Sequence, residues 1–176
     1  MKRLLLLGAA APFLTAAYLP STPDLGKAEA QCRANETGPA FMVDVTGLKN
    51  RTGRIKVEVY PANDQDFLAD DNVLIMAGKT FRRAEAAAPA SGDARFCLRL
   101  PGPGRYAVTV LHDTDSNRKF NWTHDGIGFS NNPKLGWSKP KAAGVAVNAG
   151  AGLTPLRIVM NYRNGLMSVG PVKAAR

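Results

Sequence analysis

Residues 95–112 read RFCLRLPGPGRYAVTVLH and indicate two β-strands separated by a turn. Apolar side chains recur at every second position in both halves, as in a strand with one buried face: Phe96, Leu98 and Leu100, then Tyr106, Val108 and Val110. The Pro-Gly-Pro-Gly run at 101–104 is a strong turn signal. The stretch therefore predicts β-structure on both sides of a tight turn.

The same alternation appears before and after this stretch. Further short strands are predicted at 42–46, 55–60, 81–85, 145–147 and 156–162. The turn-like residues 50–53 join the first two, which favours a hairpin. With 17 glycines, 12 prolines and no long amphipathic helix pattern, the sequence predicts an all-β fold. We expect a single β-sandwich of about seven short antiparallel strands with one long ordered loop within 113–142.

Changes in composition along the 176 residues divide the chain into four segments, one of which is the folded domain. They are predicted to be a signal peptide at 1–17, with cleavage at 17 or as late as 30, an N-terminal arm at 18–40, the β-sandwich at 41–163 and a flexible tail at 164–176. The alternative for the leader is an uncleaved anchor, but its apolar run is shorter than the roughly 20 residues of a membrane span. We therefore expect a periplasmic or secreted protein that is not an integral membrane protein after signal removal.

The net charge of +9 comes from scattered basic residues. They form no basic stripe interleaved with aromatic residues, so the pattern does not indicate a nucleic-acid partner. It is compatible with a solvated basic surface or with attraction to anionic envelope polymers and lipid headgroups. The sequence also lacks the GxxxxGK[ST], HExxH, CxxC and GxSxG signatures of common enzyme classes.

Two cysteines, Cys32 and Cys97, are present. Cys97 lies on the strand face opposite Phe96 and Leu98, where it can reach the N-terminal segment. An even number of cysteines in an exported chain favours one disulfide, Cys32–Cys97. Two free thiols are the alternative.

The long loop begins with acidic and amide side chains at alternate positions. Asp113, Asp115 and Asn117, followed by the Lys119 carbonyl and Asn121, have the ligand spacing of a calcium loop. Arg118 stands where such a loop has glycine. The alternative is a polar turn in which Asp and Asn side chains cap their own backbone. Calcium is the one cofactor that this pattern suggests.

Two histidines flank the same loop, each followed by an aspartate. His112, Asp113, His124 and Asp125 could together hold zinc or iron, which makes a metal-dependent hydrolase the alternative function. His112 also continues the buried face that contains Val108 and Val110, so it could instead end the core.

The loop also carries aromatic and small polar side chains that could form an interaction surface. The candidates are His112, Trp122, His124, Asp125, Phe129, Ser130, Asn131 and Trp137. Their aromatic members could equally anchor the loop on the core. The partners considered are an envelope protein, a polysaccharide or an anionic surface.

Three sequence elements resemble those of a known bacterial family. They are the LPGPGRYAV run at 100–108, the HD pair with the alternating Asp and Asn residues that follow it at 112–121 (the Asp/Asn ladder), and GFSNN at 128–132. In this order they resemble the exported family catalogued as domain of unknown function 2141, over residues 41–163. The resemblance implies a small periplasmic or secreted β-sandwich, similar to the transthyretin (prealbumin) class, with no assigned enzymatic activity. The chain departs from the family pattern at Arg118, which replaces glycine, and at Asn121, which replaces aspartate. We expect a noncatalytic binding or structural module of the cell envelope.

Overall fold

The computed structural model describes residues 18–136, 138–166 and 168–172, so the predicted signal peptide lies outside the described residues. Within these ranges the chain forms ten strands and three short helices. The strands are β1 Ala40–Thr46, β2 Arg54–Pro61, β3 Arg82–Ala87, β4 Ala94–Arg99, β5 Gly104–Asp113, β6 Gly126–Phe129, β7 Ala146–Ala149, β8 Leu153–Val159, β9 Asn161–Arg163 and β10 Val169–Pro171. The helices are α1 Lys27–Ala30, α2 Asp71–Met76 and α3 Ala142–Val145. The predicted all-β fold is confirmed, with more and shorter strands than expected.

The strands form two sheets. The smaller has the order β4-β1-β8, and the larger has the order β10-β9-β6-β5-β2-β3, with β7 pairing with the first half of β5. The ten-residue strand β5 is central, because it pairs with β2 along one edge and with β7 and then β6 along the other. The predicted edge strand at 81–85 is confirmed as β3.

The predicted hairpin of 42–46 and 55–60 is wrong. Strand β1 lies in the smaller sheet and β2 in the larger one, so residues 47–53 carry the chain from one sheet to the other. Alternation shows which side chains share a buried face, but two strands that face each other across a core show the same alternation as two hydrogen-bonded neighbours.

One strand pair departs from the predicted antiparallel arrangement. Strand β8 runs parallel to β1, with Leu153 opposite Ala40. It enters the sheet beside the start of β1, where the N–H of Ala40 donates to the carbonyl of Gly152. The predicted strand 156–162 is in fact two strands, because the chain leaves the smaller sheet after β8 and joins the larger one as β9.

The main core lies between the two sheets and contains the inward side chains of both. Its fully buried members include Phe41, Val43, Val45, Ile55, Val57, Val59, Leu98, Val108, Val110, Ile158 and Met160. A second cluster covers the other face of the larger sheet beneath α2 and α3: Tyr60, Phe67, Leu74, Phe81, Phe129 and Val145. The larger sheet is therefore apolar on both faces over part of its area.

The predicted disulfide Cys32–Cys97 is confirmed. It fixes the N-terminal segment to β4, and the buried Ala30 of α1 belongs to the main core. Further along the arm, the carbonyl oxygen of Thr22 accepts a hydrogen bond from Arg83 at 3.0 Å. The segment predicted as an arm is therefore packed against the sandwich.

Two more predictions need correction. The long loop does not run uninterrupted through 113–142, since β6 lies within it and pairs with β5. The predicted tail from residue 164 includes β10, which pairs with β9 at the edge of the larger sheet. Among the helices of the described ranges, none is long and apolar enough to cross a membrane.

Candidate functional site

The loop of residues 114–125 connects β5 to β6 at one end of the sandwich, and Asp113 at the end of β5 organises its first turn. The carboxylate of Asp113 is 3% exposed and accepts the backbone N–H groups of Asn117 at 3.2 Å and Arg118 at 2.7 Å. Ser116 and Arg118 take left-handed backbone conformations, with φ of 59° and 66°. The turn therefore has the backbone shape that glycine favours, and the hydrogen bonds to Asp113 hold Arg118 in it.

The rest of the predicted calcium ladder also uses its side-chain oxygens on nearby N–H groups. Asp115 accepts from the backbone and side chain of Asn117, at 3.1 and 2.7 Å. Asn117 accepts from the N–H of Lys119, and Asn121 accepts from the N–H of Thr123. This is the hydrogen bonding of the polar-turn alternative. Calcium binding by the ladder stays a prediction.

Asp125 closes the loop from its other side. Its carboxylate is 2% exposed and accepts the N–H and hydroxyl of Thr114, both at 3.0 Å, and the N–H of Asn121 at 2.8 Å. Asp113 and Asp125 thus serve as two internal caps, and between them they satisfy backbone groups along most of the loop. The loop is held by hydrogen bonds rather than by an apolar core of its own.

Three carboxylates lie close together at this end of the sandwich, and the pKa values of Asp113 and Asp115 are shifted in opposite directions. Burial raises the pKa of Asp113, and the neighbouring Asp115 and Asp125 raise it further against the lowering effect of the Arg118 N–H. Burial acts in the same direction on Asp115, but the Asn117 N–H and His124 outweigh it and lower the pKa of that group. Negative charge is therefore concentrated on the partly exposed Asp115.

His112 is part of the core and does not join His124. Its ring is fully buried, Nε2 donates to the carbonyl of Thr52 at 2.9 Å, and Nδ1 accepts from the hydroxyl of Tyr162 at 2.6 Å. Burial raises the pKa of Tyr162 to about 12, which keeps this hydroxyl a donor. Gly126 permits the contact, because a Cβ there would lie 2.3 Å from the Tyr162 ring. The predicted grouping of both histidines with Asp113 and Asp125 is wrong, since both nitrogens of His112 are engaged elsewhere.

His124 lies on the outer side of the loop. Its Nε2 is 3.2 Å from Asp115 Oδ2 and 3.7 Å from Asp125 Oδ1. Within the part of the chain that the structure describes, these three residues are the one group of at least three His, Cys, Asp or Glu ligands whose atoms lie within 4.8 Å of one another.

The GFSNN element joins three parts of the fold. Ser130 is 1% exposed, and its hydroxyl accepts from the N–H of Val108 at 3.0 Å and donates to the carbonyl of Val145. Asn131 donates to the carbonyl of Ala146 at 2.9 Å. Asn132 donates to Arg157 and accepts from Val159 on β8, at 2.9 and 2.7 Å. The element therefore ties β5 to α3 and β7, and the larger sheet to the β8 edge of the smaller sheet.

These positions correct the predicted interaction surface. His112, Asp125, Phe129 and Ser130 are buried, so they support the loop rather than face a partner. Trp137 lies outside the described residues. Trp122, His124 and Asn131 remain accessible, although Asn131 is bonded to Ala146. Asn132 was missed by the sequence analysis. Its place in GFSNN was the only feature of the sequence that pointed to it. The hydrogen-bond partners of Asn132 lie on β8, far away in the sequence, so no local sequence pattern predicts them.

Replacing Ser130 by alanine should lower the free energy of unfolding by about 1–3 kcal/mol, because the buried N–H of Val108 loses its acceptor. Urea denaturation followed by circular dichroism measures the change. Ser91→Ala, at an exposed loop position, is the matched control and should change stability by less than about 0.5 kcal/mol. Equal stability of the two variants would contradict the assigned role of Ser130.

Aromatic side chains are displayed on the outside of the loop. Phe120 is 51% exposed and Trp122 is 43% exposed. The guanidinium carbon of Arg163, on β9, lies 4.4 Å from the centre of the Trp122 ring. This cation–π contact fixes one face of the indole ring against the sheet edge. The internally capped loop therefore presents a positioned aromatic surface to solvent.

Exposed basic side chains lie on this loop and on a neighbouring one. Arg118 and Lys119 are exposed on the loop itself, and Lys49 and Arg51 are exposed on the neighbouring loop between β1 and β2. The two loops are adjacent because His112 at the end of β5 bonds to Thr52. Asp113 and Asp125 are buried beneath the loop, so Asp115 is the one exposed acidic side chain of residues 113–125, beside the exposed Arg118 and Lys119.

A family described as "Uncharacterized protein conserved in bacteria (DUF2141)" matches residues 43–156. No curated protein and no solved structure matches the chain. The matched range contains the strands β2 to β7, the loop of residues 114–125 and the GFSNN element. The further likeness to the transthyretin class stays a prediction. Because the match covers more than half of the chain, the protein belongs to the DUF2141 family.

Proposed function

We propose that this chain is an exported, noncatalytic module that binds an anionic glycan of the bacterial envelope. The binding surface is the exposed side of residues 114–125, with Phe120, Trp122 and Arg163 at its centre. The observation that carries the proposal is the positioned, 43% exposed indole ring of Trp122, stacked on Arg163, in a loop that also carries the exposed Arg118 and Lys119.

Export is supported by the disulfide and by the place of the arm in the fold. A disulfide between Cys32 and Cys97 fits an oxidising compartment. Cleavage after residue 17 would keep the whole packed arm, whereas cleavage after residue 30 would remove the Thr22 contact and the buried Ala30. We therefore propose that the mature protein begins at Tyr18 and is located in the periplasm or outside the cell.

The chemistry of the surface favours an acidic polysaccharide among the partners considered. An aromatic ring offers a flat apolar face to the carbon–hydrogen face of a sugar ring, and guanidinium groups pair with carboxylates through two parallel hydrogen bonds. An internally hydrogen-bonded loop also loses little conformational freedom on binding. The metal-dependent hydrolase is not proposed, because both ring nitrogens of His112 are engaged within the core.

Replacing Trp122 by alanine should weaken binding to purified peptidoglycan sacculi about tenfold, since a stacking contact of 1–2 kcal/mol is lost. Co-sedimentation over a range of sacculus concentrations gives the apparent Kd. Raising the salt concentration should weaken binding of the unmodified protein, because part of the attraction is between exposed charges.

Tyr18→Ala is the matched control, because Tyr18 is an aromatic residue that is 78% exposed and lies outside the loop. It should bind like the unmodified protein. Equal binding by Trp122→Ala would contradict the proposal, and so would equal binding of the unmodified protein to neutral dextran beads.

A further inference from the structure

Two carboxylate oxygens and one imidazole nitrogen lie close together on the outer side of the loop, from Asp115, Asp125 and His124. His124 Nε2 lies 3.2 Å from Asp115 Oδ2 and 3.7 Å from Asp125 Oδ1, and one ligand atom from each of the three residues lies within 4.8 Å of the other two. The side chains of Asp115 and His124 are 44% and 40% exposed, whereas that of Asp125 is fully buried. The group is thus open to solvent on one side and anchored on the other.

A chain of hydrogen bonds decides which ring nitrogen of His124 carries the proton. Asn121 Oδ1 accepts the N–H of Thr123 at 3.0 Å and the Thr123 hydroxyl at 2.7 Å. Since the hydroxyl proton points to Asn121, Thr123 Oγ1 accepts from His124 Nδ1–H at 3.0 Å. The neutral ring therefore has its lone pair on Nε2.

This tautomer directs the Nε2 lone pair at two carboxylate oxygens, which are acceptors only. Three lone-pair atoms facing one another repel unless a cation lies among them: either a proton on Nε2, which makes His124 a cationic donor to Asp115, or a metal ion. An N–H group bonded on the far side of an imidazole is also the usual arrangement behind a metal-ligating histidine, because it fixes the ring and its tautomer.

We propose that Asp115, His124 and Asp125 bind a divalent transition-metal ion of the zinc type. Ligand atoms at 2.0–2.1 Å from zinc in a tetrahedral site lie about 3.3 Å from one another. The observed separations of 3.2 and 3.7 Å are close to that value. One imidazole with two carboxylates suits zinc, cobalt or manganese better than calcium, which takes oxygen ligands. Three protein ligands leave a fourth position for water.

The carboxylates are oriented by hydrogen bonds from neighbouring groups of the loop. Thr114 donates its N–H and hydroxyl to Asp125 Oδ1, and the Asn121 N–H donates to Oδ2. Asn117 Nδ2 donates to Asp115 Oδ2 at 2.7 Å. Metal binding at this position would link the start of the loop to its end. The inference does not depend on glycan binding.

Isothermal titration of chelator-treated protein with zinc chloride tests the site. The unmodified protein should bind one zinc ion per chain, and His124→Gln should weaken that binding by about 10–100-fold. Cobalt(II) should give visible absorption bands that are lost in the same variant. Asp70→Asn is the control and should bind zinc normally, because Asp70 is an exposed aspartate that directly precedes α2 and makes no side-chain hydrogen bond to it.

His124 is partly exposed, so the variant should keep its fold, and circular dichroism checks this. Three results would overturn the proposal: no zinc binding by the unmodified protein, equal zinc binding by His124→Gln, or equal competition by calcium. If Nε2 is simply protonated instead, zinc does not bind and the first of these results is observed.

Discussion

Replacing Arg83 by methionine should lower the free energy of unfolding by about 3–5 kcal/mol, because it leaves the buried Asp71 carboxylate without its cation and the buried Glu58 with only its ion pair to Lys56. Arg83 lies on β3 and is 9% exposed. It pairs with Glu58 at 2.8 Å and with Asp71 at 3.0 Å, both of which are also buried. Burial alone would lower the pKa of Arg83, but the two carboxylates raise it, so the guanidinium stays charged.

Arg95→Met is the matched control for this change. Arg95 also extends from a strand and pairs with a carboxylate, Asp44, at 2.6 Å, but its side chain is 71% exposed. Exposed ion pairs contribute less than about 1 kcal/mol, so this variant should remain close to the unmodified protein. Urea denaturation measures both. Similar losses in the two variants would show that the Arg83 cluster does not stabilise the fold as described.

Replacing both Cys32 and Cys97 by alanine should cost about 4 kcal/mol, because the unfolded chain gains the freedom of a loop whose ends are 65 residues apart. The same urea denaturation measures the loss. Much of the lost stability should come from loosening of the N-terminal arm. Its other contacts include the Arg83 hydrogen bond to Thr22 and the ion pair of Lys27 with Glu85 at 3.2 Å.

Reduction of the unmodified protein with a thiol reagent is the internal control and should reproduce the loss measured for the double variant. A loss below about 1 kcal/mol in both experiments would mean that the remaining contacts hold the arm without the disulfide. A loss in the double variant alone would instead indicate that alanine disturbs the packing around β4.

The positions of the strands could be predicted from the sequence, but their partners could not. Alternation at 95–112 located β4 and β5 correctly, yet the same signal in 42–46 and 55–60 suggested a hairpin that does not exist. The regular run at 156–162 concealed the crossing between sheets at Met160, since the buried face continues through it. Periodicity records the burial of each side chain and says nothing about which backbone lies beside it.

The candidate site was predicted in outline, because its residues are close in sequence. The spacing of Asp113, Asp115 and Asn117 located the loop, and the same side chains do organise its first turn. The contact of Trp122 with Arg163 and the bonds from Asn132 to β8 could not be predicted, because these partners are distant in sequence. Arg118 shows the opposite case, because the hydrogen bond that its N–H donates to the Asp113 carboxylate holds a non-glycine residue in the conformation that glycine usually takes in a calcium loop.

The most direct test of the proposed function is a titration of ¹⁵N-labelled protein with oligogalacturonate, a soluble acidic glycan, followed by two-dimensional NMR. We expect saturable shifts concentrated in residues 114–125 and at Arg163, with Trp122 Nε1–H among the largest, and no shifts with neutral malto-oligosaccharide. Shifts confined to another surface, or no shifts while the protein still binds sacculi, would contradict the assignment of this loop as the glycan-binding surface.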